Sequence, residues 1–262
     1  MGVGKILDTA VSLYRLHWRT LLGITAFVLV PYTFLQQLSI RLVSSPFVVN
    51  GRVYIPRSKE GVAAAVVGAF SFASFLIVQP FLTGATVRAV GEFYRGRDPG
   101  VRGAYSYALR RVGSILLVIV LSFLAFVGGF ILLVIPAFIF HVRFLFSTAV
   151  VVEEDARGRA AMRRSWRLAK GSFWKILGTV VLASLLAGIA GAIISLPASF
   201  AAMHVGTNGW ILRFLGGAIS GIITGPFITT VTVLLYYDMR IRKEGFDIQV
   251  MAQELQGPTY SP

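Results

Sequence analysis

The stretch VGSILLVIVLSFLAFVGGFILLVIPAFIFHVRFLFSTAVVV, Val112 to Val152, decides the fold. Its 41 residues hold only two ionisable side chains, His141 and Arg143. As one straight helix it would extend about 60 Å, twice the ~30 Å hydrocarbon core of a bilayer. The run must therefore turn back on itself. Helix propensity falls at Gly128-Gly129 and again at Ile135-Pro136, and the turn is expected at one or the other.

The rest of the chain has the same character. Of 262 residues, 56% are hydrophobic and 14% charged, against the ~25% charged of soluble domains. Segments 19–43, 62–90, 112–133, 134–153, 174–202 and 209–238 are each long and apolar enough to span. The fold class expected is all-α, a polytopic membrane protein. Its six transmembrane helices would form three hairpins, each preceded by an amphipathic interfacial helix. The hairpins belong to a single integral membrane domain over 1–245, in units of about 1–97, 98–153 and 154–245. Residues 246–262 read as a flexible cytoplasmic tail.

The absence of cysteine excludes disulfides, thiolate catalysis and Cys-ligated metal. A formal net charge of +14 would suggest nucleic acid in a soluble protein. Here the basic residues flank apolar runs, so the expected partners are the bilayer and its anionic headgroups, together with an unidentified protein, and not nucleic acid. With both termini inside, the inner segments carry 19 Lys and Arg and the outer ones 5. By the positive-inside rule this predicts a multi-pass protein of the cell membrane with both termini cytoplasmic. Trp18, Tyr94, Tyr105, Tyr107, Trp166, Trp174, Tyr236 and Tyr237 fall near that inner boundary.

The N-terminal segment, Gly2 to Trp18, alternates Val3, Ile6, Leu7, Ala10, Val11, Tyr14 and Trp18 with Lys5, Asp8, Ser12, Arg15 and Arg19 at helical spacing, and the helix is expected to run straight into the first span. That pattern describes an amphipathic helix rather than a signal-peptide core. A second such helix is expected to start at Asp98-Pro99, and a third carries Arg159, Arg163, Arg167 and Lys170 opposite Met162, Trp166, Ala169 and Phe173. LYRLHWRTLLG, Leu13 to Gly23, matches LAKGSFWKILG, Leu168 to Gly178, in residue type. PFLTGATVRAVGE, Pro80 to Glu92, likewise matches PFITTVTVLLYYD, Pro226 to Asp238. The chain thus reads as a repeated unit, with small-residue stripes (Gly61, Ala65, Ala69 and Ala73; Ser184, Gly188 and Ala192; Gly217, Gly221 and Gly225) for close helix packing.

Candidate functional residues form two sets. His141 and Arg143, with Thr83, Thr86, Thr229 and Thr232, would make a polar site within the membrane, since ionisable groups there mark pathways or are paired. Tyr236, Tyr237, Asp238, Arg240 and Glu92 would form a clamp where two helices leave it. Glu153-Glu154-Asp155 is the one acidic cluster, and is expected at the start of the following basic helix with Asp155 as its N-cap. No nucleotide loop, nucleophile elbow, zinc motif or dinucleotide fingerprint is present, so catalytic, cofactor and metal residues are expected to be none.

The segment LLYYDMRIRKEGFDIQ, Leu234 to Gln249, resembles the end of the glycerophosphoryl diester phosphodiesterase membrane domain family, whose members close on a similar Tyr-Asp-x-Arg-x-Arg-x-Glu-Gly-Phe-Asp pattern. AMRRSWRLAKGSFWKILG, Ala161 to Gly178, and ILDTAVSLYRLHWRTLLG, Ile6 to Gly23, are also similar to that family. Some relatives carry the module fused to a catalytic barrel of ~250 residues. These 262 residues hold no such barrel and no His-Arg-Gly-type segment, so the resemblance does not imply an activity. The leading expectation is a non-catalytic scaffold or accessory module. A transporter or channel-like carrier for a lipid or small solute is the alternative, and an intramembrane enzyme on lipid headgroups the third reading.

Overall fold

A computed structural model describes residues 2–44, 47–49, 52–54, 57–132 and 134–245. The expected tail over 246–262 lies outside them. The helices are α1 (Val3–Leu16), α2 (Trp18–Ser44), α3 (Arg57–Tyr94), α4 (Gly100–Leu132), α5 (Val134–Phe144), α6 (Ser147–Glu153), α7 (Arg159–Ala169), α8 (Phe173–His204) and α9 (Gly209–Glu244). A short antiparallel ribbon, β1 (Phe47–Val49) with β2 (Arg52–Tyr54), joins α2 to α3. Among the described residues six stretches are long and apolar enough to cross a membrane: Trp18–Arg41, Ala65–Tyr94, Gly100–Leu132, Ile135–Glu153, Phe173–His204 and Gly209–Glu244. The protein is an all-α, multi-pass membrane protein.

Neither of the two expected turn positions is itself the helix boundary: Gly128-Gly129 lies within α4 and Ile135-Pro136 within α5. α4 ends at Leu132 and α5 begins at Val134, and Pro136 sits in the first turn of α5, where its missing N–H costs nothing. Gly129 then lets α4 and α5 meet, because a Cβ there would stand 2.8 Å from the Ala137 nitrogen. The return span is not one helix. It breaks at Leu145-Phe146, and the Ser165 hydroxyl of α7 spans the gap by donating to the Arg143 carbonyl (2.7 Å) and accepting from the Phe146 N–H (3.1 Å).

Two chain breaks fall at matched points of the repeat. α2 begins at Trp18, after the break at His17, and α8 begins at Phe173, after the break at Lys170 to Ser172. Trp18 and Phe173 occupy the same position of the aligned segments. Pro80 and Pro226 also lie inside corresponding helices, α3 and α9. The middle unit differs, since α4 runs unbroken from Gly100 and no separate helix precedes the span. Asp98 does mark that start by accepting the Gly100 N–H at 2.9 Å.

The buried core gathers toward the end of the bundle where α3, α6 and α9 finish, and includes Ile6, Ala89, Val90, Val151, Leu168, Ile176, Leu235, Tyr236 and Tyr237. Many other large apolar side chains of the spans, such as Phe27, Ile77, Ile131 and Leu185, are exposed, as lipid contact requires. α8 and α9 run antiparallel, with Gly191 against Ser220 and Gly216 against Ala198. On α8 the buried stripe is Ala183, Ala187 and Gly191, one position from the expected Ser184, Gly188 and Ala192, of which Ser184 and Gly188 are exposed. Ala65, Ala69 and Ala73 are exposed as well, while Gly221 and Gly225 of α9 face Leu29 and Thr25 of α2. α1 packs its Ile6, Leu7 and Ala10 face into the core, and the Tyr14 hydroxyl donates to the Ile223 carbonyl (2.9 Å), three residues before Pro226. Burial pushes that phenol up to about 12.

Candidate functional site

The intramembrane set does not come together. Thr86 and Thr232 donate to the carbonyls of Leu82 and Ile228 in their own helices, and Thr83 bonds Gln79 one turn earlier. Thr229 is half-buried on α9. This is the usual habit of threonine in an apolar helix, where its hydroxyl takes the nearest carbonyl. His141 stands exposed with its ring edge-on to Phe126, 6.1 Å between centroids. It lines an apolar groove of about 530 Å³ with Phe123, Phe138 and Phe144. Arg143 turns instead toward α7, with its guanidinium 4.9 Å over the Trp166 ring and 3.5 Å from the Trp166 carbonyl. Its Nε is buried without a hydrogen-bond partner.

Of the exit set, Tyr236, Tyr237 and Arg240 converge, on residues that the sequence reading had placed elsewhere, and Glu92 joins them through Arg95. Glu153 ends α6 and Glu154 is its C-cap, whereas α7 is preceded by Gly158 with no side-chain cap. The acids therefore close one helix rather than open the next. A carboxylate at a helix C-terminus faces the negative end of the dipole and requires donors from elsewhere. Consecutive tyrosines of α9 supply them: Tyr236 donates to Glu154 at 2.7 Å and Tyr237 to Glu153 at 2.6 Å.

Arginines complete both pairs. Arg95, just past α3, bonds Glu153 and also lies 3.2 Å from Glu92, which takes Arg88 at 2.7 Å and Arg97 at 2.8 Å as well. Burial opposes the charge on Arg95, but Tyr237, Glu153 and Glu92 outweigh it and hold the guanidinium above its ordinary value. Arg164 of α7 reaches Glu154 through Nε (2.7 Å) and an Nη (3.2 Å), and grips Glu244 on its other side. Those hydrogen bonds, Glu244 foremost, raise its affinity for the proton against the desolvation. Arg240 stands 3.6 Å from Glu154 and 3.5 Å from Glu244. Asp238 points to a separate pair, Lys175 at the start of α8 and Arg242 at 3.2 Å.

The Glu153 side chain is 0% exposed. It fits because Gly91 presents no Cβ, and any Cβ there would collide with the carboxylate. Its Oε1 is buried with no hydrogen-bond partner, so Tyr237 and Arg95 on Oε2 carry the whole stabilisation. Aromatic faces pack around the charges: Tyr94 stacks on Tyr237 at 4.7 Å, and Phe146 leans on Tyr236. Arg88 and Arg111 bracket the Tyr107 ring at 4.3 and 4.8 Å, and the Tyr107 hydroxyl donates to the Val152 carbonyl at 2.7 Å.

Sequence reasoning named the α9 half of this node and Glu92. It missed Glu153, Glu154, Arg95, Arg164, Lys175 and Glu244 as partners. One signal was available: with only 11 acids in the chain, an acidic doublet at the same membrane boundary as a tyrosine pair has few other partners. Among the described residues no group of three or more His, Asp or Glu side chains is placed to hold a metal ion.

Neither a curated protein nor a solved structure matches the chain. The family model for the membrane domain of glycerophosphoryl diester phosphodiesterase matches residues 110–245, from within α4 through α9, with Ile6 to Gly23 outside the match. That span covers just over half of the sequence and contains Glu153, Glu154, Arg164, Tyr236, Tyr237 and Glu244, so the chain belongs to the glycerophosphoryl diester phosphodiesterase membrane domain family.

Proposed function

We propose that this protein is a non-catalytic membrane module, a scaffold or accessory component of the cell membrane. In this reading the charged node faces the cytoplasm and its basic rim contacts anionic headgroups. The excess of Lys and Arg in the segments at that end supports the orientation. One observation carries the functional reading: Glu92, Glu153, Glu154, Asp238 and Glu244 are each held by arginine, lysine or tyrosine from their own or neighbouring helices. A general acid or base needs an oxygen within hydrogen-bond reach of a substrate proton. These carboxylates instead join α3, α6, α7, α8 and α9 to one another, which is the work of a rigid framework.

The test uses the full chain in vesicles. Glycerophosphodiesters and phospholipids should show no turnover, and labelled solute or lipid no flux, above empty vesicles. Glu154→Gln should lower the thermal midpoint in detergent. Turnover or flux abolished by Glu153→Gln or Glu154→Gln, in protein that remains folded, would overturn the proposal in favour of an enzyme or carrier.

A further inference from the structure

A small polar notch lies beside the node, between α4 and the loop from α6 to α7. Arg110, Arg111, Gly113, Ser114, Val151, Asp155 and Arg157 line about 180 Å³. Asp155 pairs with Arg111, which leaves two arginine charges uncompensated in the lining. Among the described residues neither Arg110 nor Arg157 has a side-chain hydrogen bond or ion pair, and both are exposed. Elsewhere at this end Arg88, Arg95, Arg97, Arg164 and Arg240 all have carboxylate partners.

The loop is shaped around the notch. Asp155 holds φ 56° and Gly158 φ 52°, so two left-handed residues flank the segment that carries Arg157. The left-handed region is costly for a residue with a Cβ and persists only where the surroundings enforce it. Gly158 lets the loop close on α4, since a Cβ there would stand 3.0 Å from Leu117.

From the same face of α4 an apolar stripe runs into the membrane. Arg110, Leu117, Leu124 and Ile131 recur at seven-residue spacing, with Leu117, Leu124 and Ile131 47%, 57% and 79% exposed. Leu124 lies about 15 Å along the helix from Ser114, half the ~30 Å hydrocarbon thickness. A basic notch at one end and one leaflet of apolar surface below it match the two halves of a phospholipid.

We propose that this notch binds the phosphate group of an anionic phospholipid, gripped by Arg110 and Arg157 with Ser114 as hydroxyl donor, while an acyl chain lies along Leu117 and Leu124. Guanidinium groups suit the task because they present paired donors to phosphate oxygens and remain charged. Asp155 sets the geometry by fixing Arg111, which neutralises its charge beside the notch. The assignment deepens the headgroup contact proposed above, and rests on this end of the bundle lying at headgroup level.

The test is native mass spectrometry of the full chain titrated in detergent with short-chain phosphatidylglycerol, with phosphatidylcholine of the same chains, and with inorganic phosphate as competitor. Phosphatidylglycerol should bind the unmodified protein in preference, and Arg110→Gln with Arg157→Gln should weaken it about tenfold or more, as expected for losing charge-assisted contacts. A control that removes two exposed charges from α7, Arg159→Gln with Arg163→Gln, should bind as the unmodified protein does, and both variants should keep its thermal midpoint. Equal weakening in the control would mean diffuse attraction, overturning the site but leaving the headgroup placement intact. Displacement by inorganic phosphate at concentrations equal to the lipid would overturn the lipid as source. Absence of any preference for phosphatidylglycerol in the unmodified protein would overturn the site and the headgroup contact together.

Discussion

Tyr236 and Tyr237 are adjacent, equally buried, and each donates to one of two adjacent glutamates. Phenylalanine at either position keeps the ring packing and deletes the bond to the glutamate together with a longer one accepted from an arginine (Arg240 at 3.3 Å for Tyr236, Arg95 at 3.4 Å for Tyr237), yet the two costs should differ. Glu154 retains the Arg164 fork and Arg240 when the Tyr236 hydroxyl is lost. Glu153 retains only Arg95, and its Oε1 already lacks a partner. A hydrogen bond to a charged group contributes about 1.5–3 kcal/mol, and a buried acceptor left short of partners adds its desolvation cost. Tyr236→Phe is therefore placed at about 1 kcal/mol, where redundancy absorbs the loss, and Tyr237→Phe at about 2–3 kcal/mol. For a chain of this size a difference of ~1 kcal/mol corresponds to roughly 2–4 °C in thermal midpoint. Thermal unfolding in detergent, followed by tryptophan fluorescence and repeated in a Glu153→Gln background, reads the difference. In that background the penalty of Tyr237→Phe should shrink while that of Tyr236→Phe stays. Equal penalties, or Tyr236→Phe costing more, would refute the view that partner redundancy governs the node.

Three further outcomes follow from the geometry. Ser165→Ala removes the hydroxyl that spans the break between α5 and α6, orphaning the buried Phe146 N–H, and should cost about 1–3 kcal/mol in the same assay, with Ser165→Thr costing less. Gly129→Leu forces a side chain against the backbone of Ala137 and should destabilise by about 1–3 kcal/mol, whereas the same change at the open Gly128 should be near neutral. Because the chain has no cysteine, Ser106→Cys, exposed on α4 near the node, can be tested alone in intact cells. It should resist membrane-impermeant thiol reagents until the membrane is opened, and labelling from outside would reverse the proposed orientation.

The membrane class and the six spans were legible because they depend on the length of apolar runs, which the bilayer thickness makes decisive. The recurrence of the paired segments was legible, but the breaks were not. The amphipathic helices were expected to run straight into their spans with Trp18 and Phe173 on their apolar stripes. The chain instead breaks at His17 and at Lys170 to Ser172, and both residues open the spans. Nor was phase around the helix legible. In lipid a side chain facing out is as apolar as one facing a neighbour, so hydrophobicity carries no phase, and small residues recur on several faces. Hence Ala183, Ala187 and Gly191 pack where Ser184, Gly188 and Ala192 were expected. The node was half visible for a related reason. Tyr236 to Arg240 form a dense local pattern, but Glu153 and Glu154 meet them only in three dimensions, and the break at Leu145-Phe146 that directs α6 depends on Ser165, a residue with no mark in the sequence.

The separation between the two halves of the node also bears on how the protein is made. Glu153 and Glu154 leave the ribosome 84 and 82 residues before the tyrosines they will bond, and Arg164 waits 80 residues for Glu244. Until α9 enters the bilayer, the end of α6 carries two carboxylates against the unfavourable pole of its own helix. Synthesis of α9 is thus a checkpoint, and the bundle locks only when the last span arrives. Chains halted just before Tyr236 should be cleared quickly by membrane quality control, and chains halted after Glu244 should persist. A pulse-chase comparison of the two, with Glu153→Gln and Glu154→Gln partly rescuing the shorter chain, reads that checkpoint directly, and equal lifetimes would remove it.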